Sequence, residues 1–167
     1  MDPLGMTDAA EAYLQRGEDL AVALDDVSGP PAWGANLVYR LNSAIKRERP
    51  EAARALGEQF RGHRWRPLVP PETALQIRAR LAVAEVKSAS RGEAPAGAGE
   101  DELRALLAAG LKPEEEIYAH VALAESLLDR AEWSVAQSVL DAARALLAAT
   151  PAQEPYRLYA AGLRARL

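Results

Sequence analysis

Residues 113–149 read PEEEIYAHVALAESLLDRAEWSVAQSVLDAARALLAA, and how this stretch is parsed decides the fold. Pro113 suits a first helical turn, where its missing N–H costs nothing, and Glu114, Glu115 and Glu116 suit the positive end of a helix dipole. Apolar residues then recur at helical spacing to about Arg130. After a short charged break a second helix is predicted from Ser134, where Gln137 completes a capping box, to the residue before Thr150-Pro151. The two helices are long, their connection is short, and they must fold back as an antiparallel hairpin. Small Ala124, Ala136 and Ala143 let the backbones approach. Leu123, Leu127 and Leu140 supply buried area worth roughly 1.5 to 3 kcal/mol each, and Trp133 is expected to fill the turn.

Leu123-Ala124, Leu127, Ala131, Trp133, Ala136, Leu140 and Ala143 stand in the order and spacing of the tetratricopeptide repeat, a helix pair of about 34 residues, which this hairpin resembles. His120 stands where the family usually has a large aromatic, Tyr118 lies two residues before it, and Ala131 replaces the turn glycine. Leu106, Ala109, Leu111 and Pro113 resemble the second half of a preceding repeat. The resemblance implies hairpins stacked as a right-handed superhelix or helical bundle, a concave face that binds a peptide or partner helix, and a final capping helix. Transferred by position, the groove candidates are Tyr118, Val121, Glu125, Leu128 and Asp129. The alternative is that Val121 and Leu128 are ordinary core and the acids are solvated.

Outward from this hairpin the pattern stays helical. A helix is predicted over 8 to 27, with Tyr13, Leu20, Leu24 and Val27 on one stripe and Gly29-Pro30-Pro31 ending it; Trp33-Gly34 is assigned to the connection. Leu37, Leu41 and Ile45 predict a second helix. Ala52, Ala55, Leu56 and Phe60 predict a third, after Pro50 and closed by Gly62. Three prolines predict extended chain from Arg66 to Pro71. Further helices are expected over 72–90, 101–111 and 154–167, the last carrying Tyr156, Leu158, Tyr159 and Leu163. Residues 91–100 read as a flexible Gly/Ala loop. No segment reads as a strand, so the expectation is one all-α domain over 1–167 with seven or eight helices. Residues 1–66 would hold the N-terminal helices, and 72–167 the repeat-like pairs and capping helix.

The chain has 167 residues, enough for one core, and is 49% apolar but only 5% aromatic. Ala and Leu dominate the apolar set, which favours helices over strands. There is no cysteine, which removes disulfides, thiolate zinc sites and cysteine nucleophiles. The N-terminal residues lack the basic and then apolar run of a secretory signal, and no apolar stretch approaches a membrane span, so a cytoplasmic protein without membrane contact is expected. Net charge is −4, unevenly placed: residues 1–39 hold one basic and seven acidic residues, and residues 40–66 hold eight basic and three acidic.

Arg61-Gly62-His63-Arg64-Trp65-Arg66 gathers guanidinium groups that pair with phosphates and an indole that stacks on bases. Arg61, His63, Arg64, Trp65 and Arg66 are therefore the candidate residues of a nucleic-acid-binding accessory protein. The competing reading pairs these arginines with the acidic N-terminal helix and makes Trp65 a loop anchor. His120 has Glu116 four residues earlier on its own helix face, a weak carboxylate–imidazole pair. No histidines stand at metal-ligand spacing, and phosphate-loop, dinucleotide and nucleophile-elbow signatures are missing. The sequence thus predicts no cofactor, no metal and no catalytic residue. A non-enzymatic protein-interaction scaffold or adaptor is expected, with nucleic-acid binding and a regulatory or homo-oligomerising role as alternatives.

Overall fold

The computed structural model describes residues 9, 12, 13, 15–17, 19, 20, 29–150 and 154–167. The described part is all-α, with no strand among the described residues. Its helices are α1 (Gly29–Lys46), α2 (Pro50–Gly62), α3 (Pro71–Ser90), α4 (Glu100–Ala109), α5 (Pro113–Asp129), α6 (Trp133–Ala149) and α7 (Glu154–Arg164), with a 3-10 turn at Arg66–Leu68. Of the helix expected over 8 to 27, residues such as Tyr13, Arg16 and Leu20 are helical and the rest lie outside the described residues. The chain gathers into two compact units, Met1–Ile77 and Arg78–Leu167.

In the first unit, Gly29-Pro30-Pro31 forms the first turn of α1, and the end of the helix expected before it lies outside the described residues. Proline is tolerated in a first turn because the N–H it lacks has no intrahelical partner there. Trp33 and Gly34 accordingly sit inside α1, not in a connection, and Trp33 is buried at 1% exposure. Glu48 turns the chain between α1 and α2 at φ 57°, with Arg49 N–H donating to the Ala44 carbonyl at 2.9 Å. On α2 the buried stripe is Ala53, Leu56, Gly57 and Phe60, so Ala52 and Ala55, expected inside, face solvent. Arg66 to Pro71 is not extended throughout. Leu68 N–H bonds to the Trp65 carbonyl at 2.8 Å in the 3-10 turn, and Pro71 opens α3. This tight path places the Trp65 ring against Gly29, where a Cβ would collide with it.

In the second unit α5 is buried nearly all round, through Ile117, Ala119, Val121 to Ala124, Leu127 and Leu128. By contrast α6 buries only Ala136, Leu140, Ala143 and Leu147, one narrow stripe that packs on α5 as a hairpin. The connection is a left-handed turn: Ala131 takes φ 59°, its N–H donates to Leu128 O at 3.0 Å, and Glu132 N–H donates to Leu127 O at 2.9 Å. These bonds satisfy carbonyls that a helix end otherwise leaves open. The sharp turn starts α6 at Trp133, one residue before Ser134, so the expected capping box does not form; Glu132 holds the N-cap position without a side-chain cap bond. It also leaves Trp133 48% exposed, and the indole is not the clamp that the sequence suggested.

The segment before α4 is built from turns. Gly92 N–H donates to Ala89 O at 3.0 Å, and Glu100 N–H donates to Gly97 O at 3.1 Å. Gly99, at φ 81°, lies against the backbone of α3 at Ala82 and Val86, where no side chain fits. Directly after it Glu100 is buried, although the Gly/Ala composition promised little burial there.

Candidate protein-interaction face

Five contacts tie α3, α5 and α7 side by side. Arg80 on α3 meets Glu115 on α5 in a two-bond pair, one at 2.9 Å, and Lys87 meets Glu125 at 3.2 Å. Tyr118 on α5 meets Tyr156 on α7 edge-on at 5.9 Å between ring centroids. Tyr159 donates its hydroxyl proton to Glu125 at 2.6 Å, and Arg166, just beyond α7, donates to Asp129 at 2.6 Å. Residue numbers rise together along each pair of helices, so the three run in the same direction. The hydrogen-bonded partners lie between 34 and 38 residues apart in sequence.

The spacing on each helix explains the row. Glu115, Tyr118, Ala122, Glu125 and Asp129 alternate three and four residues apart and stay on one face of α5, as do Tyr156, Tyr159, Leu163 and Arg166 towards the end of the chain. The inner rung is dry. Arg80 and Glu115 are both buried, and the Arg80 guanidinium lies 4.1 Å from the Tyr118 ring centroid. A paired carboxylate and an aromatic face together offset the desolvation of that cation. Burial pushes the Tyr118 hydroxyl well above the usual phenol range. Tyr159 is pushed the same way by burial and by its bond to Glu125, so both stay protonated donors at neutral pH. The outer rung, Asp129 with Arg166, is open to solvent.

Of the groove candidates, Tyr118, Glu125 and Asp129 fall together on this row. Val121 and Leu128 do not: each is 2% exposed and belongs to the core between helices. Arg80, Lys87, Tyr156, Tyr159 and Arg166 complete the row and were not singled out from sequence. Their signal was the 34-to-38-residue offset to an acidic or aromatic residue, legible only once the helices are known to run in parallel.

A second cluster fixes the α4 end of this unit. The Glu100 carboxylate accepts from Ser126 Oγ at 2.7 Å, Arg104 at 2.9 Å and Arg130 at 3.0 Å. Burial alone would raise its pKa, but the bonds from Arg130 and Ser126 outweigh it and hold the carboxyl below the ordinary carboxylate value. Glu115 likewise has a specific partner, so helix-start electrostatics do not account for all three acids of Glu114-Glu115-Glu116. His120 stands 3.9 Å from Glu116, but burial outweighs that carboxylate and lowers the imidazole pKa. Among the described residues no group of three His, Asp or Glu converges on a point that would hold a metal ion.

The basic segment turns its rings inward. Trp33 stacks on His63 at 4.2 Å and on Phe60 at 6.0 Å, and Trp65 meets both Trp33 and His63 edge-on. His63 Nδ1 accepts the Trp65 backbone N–H at 3.1 Å. Trp65, 4% exposed, is therefore the anchor of its loop, and base stacking would require it to leave the core. Arg61 pairs with Glu58 at 2.6 Å, while Arg64 and Arg66 lie over the Trp65 and Phe60 rings at 5.8 Å. Arg40, Arg47 and Arg49 rim a separate recess of about 230 Å³ floored by Ala44 and Leu56.

No helix among the described residues is long and apolar enough to cross a membrane. No protein-family model, curated protein or solved structure matches the chain.

Proposed function

We propose that the protein is a non-enzymatic, tetratricopeptide-like scaffold or adaptor whose α3–α5–α7 face receives a peptide or helix of a protein partner. The observation that carries this reading is the parallel row of α3, α5 and α7, joined by contacts 34 to 38 residues apart. A 34-residue helix-pair period produces such an offset, because each first helix lies beside the first helix of the next pair. The row also suits recognition more than catalysis. Its inner charges are consumed in pairing and its tyrosines are held protonated, whereas Glu125, Asp129, Tyr159 and Arg166 offer a mixed polar rim to an incoming chain.

A photo-crosslinking residue placed at Asp129, on the rim, tests the reading against one placed at Val135, on the exposed start of α6. The expected result in a lysate of the source cells is a discrete protein adduct from position 129 and none from 135. Equal labelling at both positions, or no adduct from 129, refutes the assignment of this face.

A further inference from the structure

Helix α6 is apolar over more of its surface than the core uses. Its buried side is Ala136, Leu140, Ala143 and Leu147, and of its 17 residues the charged ones are Asp141 and Arg144, which pair with each other at 3.4 Å. At about 3.6 residues per turn, Val135, Val139, Ala142, Leu146 and Ala149 form a second stripe, turned about 130° from the buried one. Val135, Ala142 and Ala149 are exposed, and Val139 and Leu146 are half-buried. Asp141 and Arg144 lie off this stripe. A helix buried on one side ordinarily carries charge on the other. Helix propensity accounts for alanine in water, but not for valine at 135 and 139, whose branched Cβ suits an uncovered helix poorly.

The order of side chains along the stripe fits one occupant, the same stripe reversed. Ala142 stands at its centre, and Ser138 and Ala145 are exposed at its margin. Turning a second copy of α6 end for end about Ala142 sets Val135 beside Ala149, Val139 beside Ala145 and Leu146 beside Ser138 of that copy. Each larger side chain then meets a small one, the interlocking that close helix packing requires. The stripe carries no charged residue, so no like charges face each other. The antiparallel crossing also sets the positive start of each α6 beside the negative end of the other.

We infer that two copies of this protein pair through α6, antiparallel and about a two-fold axis at Ala142. The contact is isologous and closes at a dimer. Helix α6 is about 25 Å long, and two such rods side by side cover on the order of 400 Å² of each copy. That is half of the roughly 800 Å² per partner in a standard interface, so the dimer is weak, with dissociation at about 10 to 100 µM. In a dilute lysate the stripe stays uncovered, and position 135 remains a blank for the α3–α5–α7 face, on which this pairing does not depend.

Sedimentation velocity on the full chain across those concentrations tests it. The weight-average sedimentation coefficient should rise from a monomer to a dimer plateau, and added salt should leave the rise in place because the contact is apolar. Ala142→Glu sets two carboxylates against each other at the axis and should raise the concentration of half-association about tenfold or more. Ala142→Arg should do the same. Both place a good helix former at an exposed site, so circular dichroism should match wild type. Mixing the two variants should restore association, because position 142 meets its own copy. Gln137→Glu, exposed on the opposite side of α6, should behave as wild type. A wild-type monomer at every concentration overturns the inference, including the case in which another protein covers the stripe. So does growth beyond the dimer, association that Ala142→Glu leaves unchanged, or a mixture that stays monomeric.

Discussion

The two units solve the same problem with different chemistry. The first closes around rings: Trp33, Phe60, His63 and Trp65 stack at the end of α2 and hold the 3-10 turn beneath them. The second has an aliphatic core of alanine, leucine and valine and sets its helices with charge, through Arg80–Glu115 and through Glu100 with its three donors. Ring stacking tolerates an irregular path, which suits a segment broken by prolines. Charge pairs at fixed offsets specify which helix lies beside which, and small alanines alone cannot do that, because one alanine face resembles another.

This contrast can be broken from either side. In the first unit Trp33→Ala should cost about 3 to 5 kcal/mol, since it empties a fully covered site that three other rings pack against. Urea unfolding checks this, and a loss under about 1 kcal/mol would mean the rings are not the keystone of that unit. In the second unit Arg80→Ala should cost about 3 kcal/mol by taking the paired guanidinium away from the buried Glu115 carboxylate, while Arg80→Met with Glu115→Leu should recover most of it. A double variant as unstable as the single one would show that the pair contributes more than alignment.

Glu100→Gln should cost about 1 to 3 kcal/mol at neutral pH. Because the folded carboxyl sits below its unfolded value of about 4.3, its contribution is complete above that pH and fades as pH falls through the folded value. The gap between wild type and variant should therefore close in acid, and a gap that persists there refutes the arrangement. His120 runs in the same direction. Its lowered pKa makes protonation cost stability as pH falls below about 6.5.

The smallest effects lie at the α5–α6 turn. Trp133→Ala should cost less than about 1 kcal/mol, since half of the indole is already in water. Ala131→Gly should stabilise by about 0.5 to 1 kcal/mol by relieving a left-handed alanine. Thermal melts of the two variants should move in opposite directions.

The helices of the second unit were legible because period and end signals agree there. Pro113 and the acids after it, the apolar spacing to Arg130 and the break before Thr150 all mark ends that the structure reproduces within a residue or so. The placing of Trp33-Gly34 in a connection misled because Gly29-Pro30-Pro31 can begin a helix as well as end one, and local sequence does not say which side packs. Trp133 misled because large aromatic character predicts burial on average but not at the outside of a tight turn. On the candidate face, Tyr118, Glu125 and Asp129 were reachable from the repeat pattern. Their partners Arg80, Lys87 and Tyr159 were not, since a contact across some 35 residues leaves no local trace.

The glycine that ends the segment before α4 has a consequence for where the chain tolerates rearrangement. Gly99 presses on the backbone of α3 and cannot accept a side chain, whereas around Gly92 there is open space. The two ends of one short linker are thus under opposite constraints. New termini for a circular permutation, or a spliced reporter peptide, belong at the Gly92 end, while a side chain at position 99 would collide with the α3 backbone and unseat the buried carboxylate that follows it.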